Sequence, residues 1–146
     1  MVCLGNICRS PLAEGILQSK LSSDFNVDSA GTISMHQGKN PDKRSVKVAA
    51  NHGLDISMQK SRPISPTDLQ NFDLIYCMDQ NNLKDVLSLC TSQEQKDKVK
   101  LFLKEAEMDG SLEVPDPYWG DLNDFEEVYQ LIDRASEKLS KKLMNK

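Results

Sequence analysis

Residues 2–11 read Val2-Cys3-Leu4-Gly5-Asn6-Ile7-Cys8-Arg9-Ser10-Pro11. An apolar start, a Gly-Asn pair and a Ser-Pro step predict a short strand, a tight loop and the start of a helix. Ser10 suits the helix cap and Pro11 the first turn. A loop of this kind turns several backbone N–H groups toward one point, and the helix N-terminus adds partial positive charge there. A phosphate dianion fits such a nest. Its candidate cradle is Leu4, Gly5, Asn6, Ile7, Cys8 and Ser10.

Outward from this segment, strand and helix patterns alternate, as in an α/β domain built on a parallel sheet. Residues 11–21 read as a helix, with Leu12, Ile16 and Leu17 on one face beside Ala13. Residues 25–29 read as a short strand ending at Ala30-Gly31. Lys43–Asn51 reads as a second helix closed by His52-Gly53. Residues 68–71 suit a helical turn. Residues 72–78 (FDLIYCM) are nearly all apolar, as in a strand covered on both faces. A helix is expected over 81–89, a fourth strand over 99–103, and a proline-fixed loop over 113–119 (EVPDPYW). A terminal helix spans 125–142, with Val128, Leu131, Ile132, Ala135 and Leu139 along one side. Its late lysines suit the negative end of the helix dipole. Only Met1 and Val2 precede Cys3, so the first strand is very short, although a doubly wound sheet should place it centrally.

The 146 residues fit one domain, and a 38% hydrophobic fraction suffices for one core. A net charge of −4 argues against nucleic acid or an anionic membrane as the main partner. No apolar run approaches the ~20 residues of a membrane helix, and the N-terminus lacks a signal-peptide pattern; the expected location is cytoplasmic. Four scattered cysteines do not make a disulfide framework. The Cys3–Cys8 gap, with no second tight Cys or His pair, argues against zinc.

Cysteine followed six positions later by arginine occurs often by chance. The Gly, Asn and Ser-Pro setting makes it informative here. The field of the loop favours the thiolate form of Cys3, which could then attack phosphorus. Arg9 could grip two phosphoryl oxygens with a planar fork that lysine lacks. Ser10 could hydrogen-bond the thiolate and stabilise it as a leaving group. Asp116, held between Pro115 and Pro117, could protonate an aryl oxide and then activate water. No metal or cofactor is needed for these steps.

Taken together, VCLGNICRSP at 2–11, DSAGT at 28–32, Cys77-Met78-Asp79 with Asn82-Leu83, and DPYW at 116–119 resemble the low-molecular-weight protein tyrosine phosphatases. The resemblance covers essentially the whole chain, so residues 1–146 are read as one such domain. It implies a four-stranded parallel sheet in the order 2-1-3-4 with helices on both faces, and a site at the carboxyl end of strand 1. It implies Cys3 as nucleophile, Arg9 as phosphate ligand and Asp116 as general acid. Asn6 and Ser29 would brace the loop, and Asp79 would orient Arg9. It also implies that Cys8 can form a disulfide with oxidised Cys3. Cys77 and Cys90 read as core or surface thiols. The implied partner is a phosphotyrosine-containing protein, acted on by a monomer.

Tyr118 and Trp119 follow the general acid and could wall the substrate pocket. Two positions depart from the family pattern. Met35 precedes His36 where an aromatic is common, which softens one pocket wall. Met58 stands where a histidine often braces the loop asparagine. Four other activities stay open. A protein arginine phosphatase usually carries threonine at the position of Ile7. An arsenate reductase needs two further cysteines close together. A phosphocysteine carrier needs neither Arg9 nor an acid. A phosphate-binding module without activity would be expected to lack Cys3, Arg9 or Asp116, and all three are present.

Overall fold

The computed structural model describes residues 1–145. Its elements run β1 (Val2–Cys3), α1 (Arg9–Lys20), β2 (Ala30–Gly31), α2 (Lys43–Asn51), α3 (Pro66–Asn71) and β3 (Ile75–Cys77). They continue through α4 (Gln80–Leu89), α5 (Gln93–Lys98), β4 (Val99–Leu101), α6 (Phe102–Glu105) and α7 (Leu122–Met144). The sheet is parallel throughout, in the order β2-β1-β3-β4, as the family resemblance implies. Val2 pairs with Ala30 on one side and Cys77 on the other, so the two-residue β1 is central. Bonds beyond the strands lengthen it: Thr32 N–H donates to Cys3 O and Met78 N–H to Val2 O, each at 3.0 Å.

Side-chain alternation divides the core. Tyr76 joins Leu12, Ile16, Val48, Phe125 and Ile132 on the face covered by α1, α2 and α7. Its neighbours Ile75 and Cys77 join Val2, Leu69 and Val86 on the face covered by α3 and α4. Buried Phe125, Val128, Ile132, Ala135 and Leu139 seat α7 by their three- and four-residue spacing. His52 ends α2, and Gly53 (φ +79°) supplies the left-handed residue after it.

Several boundaries differ from expectation. Residues 25–29 are not a strand. Gln18 of α1 takes the backbone instead: Nε2 donates to Phe25 O at 3.0 Å, and Oε1 accepts from Val27 N–H at 2.9 Å. Of residues 72–78 only Ile75–Cys77 pairs, since Phe72 caps α3. The fourth strand stops at Leu101, where Phe102 and Leu103 turn into the core as α6. Ser10 is not a cap: α1 starts at Arg9 with Cys8 as N-cap, and the Ser10 hydroxyl faces Cys3 instead. The polar helix α5 has no buried face and rests on a Ser92 cap, so periodicity gave no sign of it. No helix among the described residues is long and apolar enough to cross a membrane.

Candidate active site

The loop between β1 and α1 is held by its carbonyls. Cys3 O and Leu4 O accept from the N–H groups of Thr32 and Ile33 at 3.0 and 3.1 Å. Gly5 O accepts from Ser61 Oγ at 3.0 Å, Ile7 O from Asp42 N–H at 2.7 Å, and Cys8 O from Ser45 Oγ at 3.3 Å. With these carbonyls engaged outside, the N–H groups of residues 5–8 have no protein acceptor among the described residues. Such a concave array is suited to an anion. Gly31 lets the loop approach: a Cβ there would lie 2.8 Å from Leu4 O.

Asn6 adopts the left-handed conformation at φ +56° and ties three segments together. Its Oδ1 accepts from Arg62 N–H at 3.1 Å, which orients the amide. Its Nδ2 then donates to Ser10 Oγ at 2.7 Å and Ser29 Oγ at 2.9 Å. The Ser29 hydroxyl in turn donates to Glu14 Oε1 at 2.7 Å. Because Ser10 Oγ accepts from Asn6, its own hydrogen is free for Cys3 Sγ, 3.1 Å away. This series of bonds gives the Cys3 sulfur a directed donor. Ser29 is thus hydrogen-bonded to the loop through Asn6, while Met58 is exposed and takes no part. The Asn6 amide is held by Arg62 N–H and Ser29 Oγ.

Buried Arg9 donates through Nη1 to Asp79 Oδ2 at 2.7 Å and to Val114 O at 3.0 Å. Its Nη2 lies 3.8 Å from Asp116 Oδ2. Burial opposes the arginine charge, but Cys3, Asp79 and Asp116 outweigh it and raise the Arg9 pKa. Burial, with Asp42, Cys3 and Asp116, pushes the Cys8 thiol far up, so Cys8 stays protonated. Asp116 is partly exposed, and its Oδ1 accepts from Tyr118 N–H at 3.1 Å.

Cys3, Arg9 and Asp116 open onto one cavity of about 300 Å³, which Ile7 and Cys8 also line. Leu4, Met35, Tyr118 and Trp119 form its wall and rim, the last 91% exposed and set edge-on against Tyr118. Sequence reasoning missed Ile33 and His36 in the lining, and Glu14 and Arg62 in the bracing network. Glu14 carried a readable hint, four residues after Ser10 on α1. Arg62 acts through its backbone, and no side-chain pattern marks that.

The sequence profile described as low molecular weight phosphotyrosine protein phosphatase matches residues 1–146. A low molecular weight phosphotyrosine protein phosphatase from Sus scrofa is 40% identical, over 88% of this chain and 84% of the relative. One from Schizosaccharomyces pombe is 38% identical, over 90% and 88%. A crystal structure of a protein tyrosine phosphatase from Entamoeba histolytica, with Hepes in its active site, superposes with a TM-score of 0.91. It shares 36% identity over 99% of this chain and 94% of that one. Vibrio vulnificus Wzb in complex with benzylphosphonate gives a TM-score of 0.86 and 31% identity, over 97% and 94%.

Proposed function

As a member of the low molecular weight phosphotyrosine protein phosphatase family, the chain is an enzyme that, we propose, hydrolyses phosphotyrosine in proteins and small aryl phosphates through a phosphocysteine on Cys3. The thiolate sulfur attacks phosphorus, the P–O bond to the ring breaks, and Asp116 gives its proton to the leaving aryl oxide. The Asp116 carboxylate then takes a proton from water. The water oxygen attacks phosphorus, the P–S bond breaks, and the Ser10 hydroxyl donates to the departing thiolate. Arg9 and the loop N–H groups hold the equatorial oxygens through both steps.

The single observation that carries this reading is the Arg9 arrangement. Asp79 and Val114 O engage Nη1, so the guanidinium is held while its other edge has no hydrogen-bond partner among the described residues. That edge can clamp two phosphoryl oxygens beside Cys3 and Asp116. An aromatic ester is favoured by the Ile7, Tyr118 and Trp119 lining, and the benzylphosphonate complex of Wzb supports the same choice. The reading includes a cytoplasmic monomer with no nucleic-acid or membrane partner. It also includes redox protection: a Cys3 sulfenic acid formed by peroxide condenses with the Cys8 thiol, giving a disulfide and water.

The test is hydrolysis of a phosphotyrosine peptide beside a phosphoarginine peptide, with chelator present. Preference for phosphotyrosine is expected. Preference for phosphoarginine would keep Cys3 and Arg9 in their roles and overturn the substrate. No turnover of either would favour a phosphocysteine carrier.

A further inference from the structure

We infer that Arg44, at the start of α2, is the positioning residue that sets the Asp116 loop against the phosphate loop. The inference rests on the role proposed above for Asp116. Pro115, Asp116, Trp119 and Gly120 of the loop over 115–120 are exposed, and among the described residues Asp116 has no cationic neighbour nearer than Arg9 at 3.8 Å. Arg44 supplies what the loop lacks. Its Nη2 donates to Tyr118 O and its Nη1 to Gly120 O, each at 3.0 Å. The guanidinium also lies over the Phe125 ring, 4.3 Å from its centroid, and 5.7 Å from that of Tyr118.

Arg44 is itself fixed. Asp42, the N-cap of α2, accepts from Arg44 Nε through Oδ1 and from Arg44 Nη2 through Oδ2, both at 3.0 Å. These side-chain bonds hold the Asp42 carboxyl below its ordinary pKa. The backbone N–H of the same Asp42 donates to Ile7 O in the phosphate loop at 2.7 Å. One unbroken series therefore runs from Ile7 through Asp42 and Arg44 to Tyr118 and Gly120. It spaces the carboxyl that handles the proton from the loop that holds the phosphorus. Lysine cannot serve one carboxylate and two carbonyls with a planar fork.

The experiment uses the full chain with Arg44→Ala and Arg44→Lys. A misplaced acid is costly, so Arg44→Ala should lower kcat/KM for phenyl phosphate by about tenfold or more. The loss should be much smaller for p-nitrophenyl phosphate, whose leaving group needs little protonation. Inhibition by inorganic phosphate should be unchanged, and Arg44→Lys should restore part of the loss. Trp119 is the only tryptophan in the chain and sits in the loop, so its fluorescence anisotropy decay should report faster local motion in Arg44→Ala. Equal losses on both substrates with weakened phosphate inhibition, or unchanged Trp119 anisotropy, would overturn the inference. If Arg44→Ala does not fold, Arg44→Lys and Arg44→Gln carry the same comparison. If the wild-type chain turns over neither aryl phosphate, the proposed activity fails, and the anisotropy contrast still decides whether Arg44 holds the loop.

Discussion

The carboxylate of Asp79 accepts a hydrogen bond from Arg9 Nη1 at 2.7 Å, joining the second residue after β3 to the first residue of the helix that follows β1. Its second oxygen accepts from Asn82 N–H at 2.8 Å and caps α4. One side chain thus fixes the Arg9 guanidinium and starts a helix. Asp79→Asn keeps a cap but sets an amide against the guanidinium. Removing the carboxylate nearest the buried Arg9 should cost about 3 kcal/mol and weaken phosphate binding. Asp79→Ala should cost about 1 kcal/mol more, from the lost cap. Urea unfolding and phosphate competition measure the two; unchanged phosphate affinity in Asp79→Asn would show that Arg9 is oriented without this pair.

Asn6 combines a left-handed backbone with three side-chain bonds, and two substitutions separate them. Asn6→Gly keeps the backbone at ease and loses the bonds. Asn6→Ala loses the same bonds and adds strain of about 1 kcal/mol. Both should slow turnover alike, because Ser10 loses its fixed direction toward Cys3, while Asn6→Ala unfolds at lower urea. Different rates in the two variants would tie catalysis to the backbone rather than to the amide.

Glu14 gives a pH signature. Burial raises its pKa, and the Ser29 bond offsets this only in part. A raised native pKa means that the folded chain binds the proton more tightly than the unfolded one. Its contribution to stability is full below the ordinary glutamate value of about 4.3 and declines as pH rises through the raised value. Glu14→Gln can still accept from Ser29 and should flatten that decline. Unfolding free energies of both chains across the acidic range make the comparison; parallel curves would remove Glu14 as the cause.

Cys3→Ser should abolish turnover and keep phosphate binding, since the cradle is backbone and Arg9. Asp116→Ala should slow kcat/KM most for aryl esters with poor leaving groups, within the range of about 10²–10⁴ typical of general acids. Residual turnover in Cys3→Ser, or a loss in Asp116→Ala independent of the leaving group, would reassign these residues.

The chain itself determined what depends on neighbours in sequence. Gly5, Asn6 and the Ser10-Pro11 step predict a strand, a turn and a helix from residue-level backbone preferences, and the 125–142 stripe marks its helix by period. Cys3, Arg9 and Ser10 could be read together because one loop carries them. The tertiary structure decided what depends on packing. Residues 25–29 looked like a strand until Gln18 took their hydrogen bonds. Arg62 reaches Asn6 from 56 positions away, and Arg44 reaches Tyr118 from 74. The bond between Asp79 and Arg9 spans 70 positions and was expected only through the family resemblance. Local torsions and caps are settled within a few residues, whereas a carboxylate meets its guanidinium only once the sheet has brought β1 beside β3 and the core has set the helices around it.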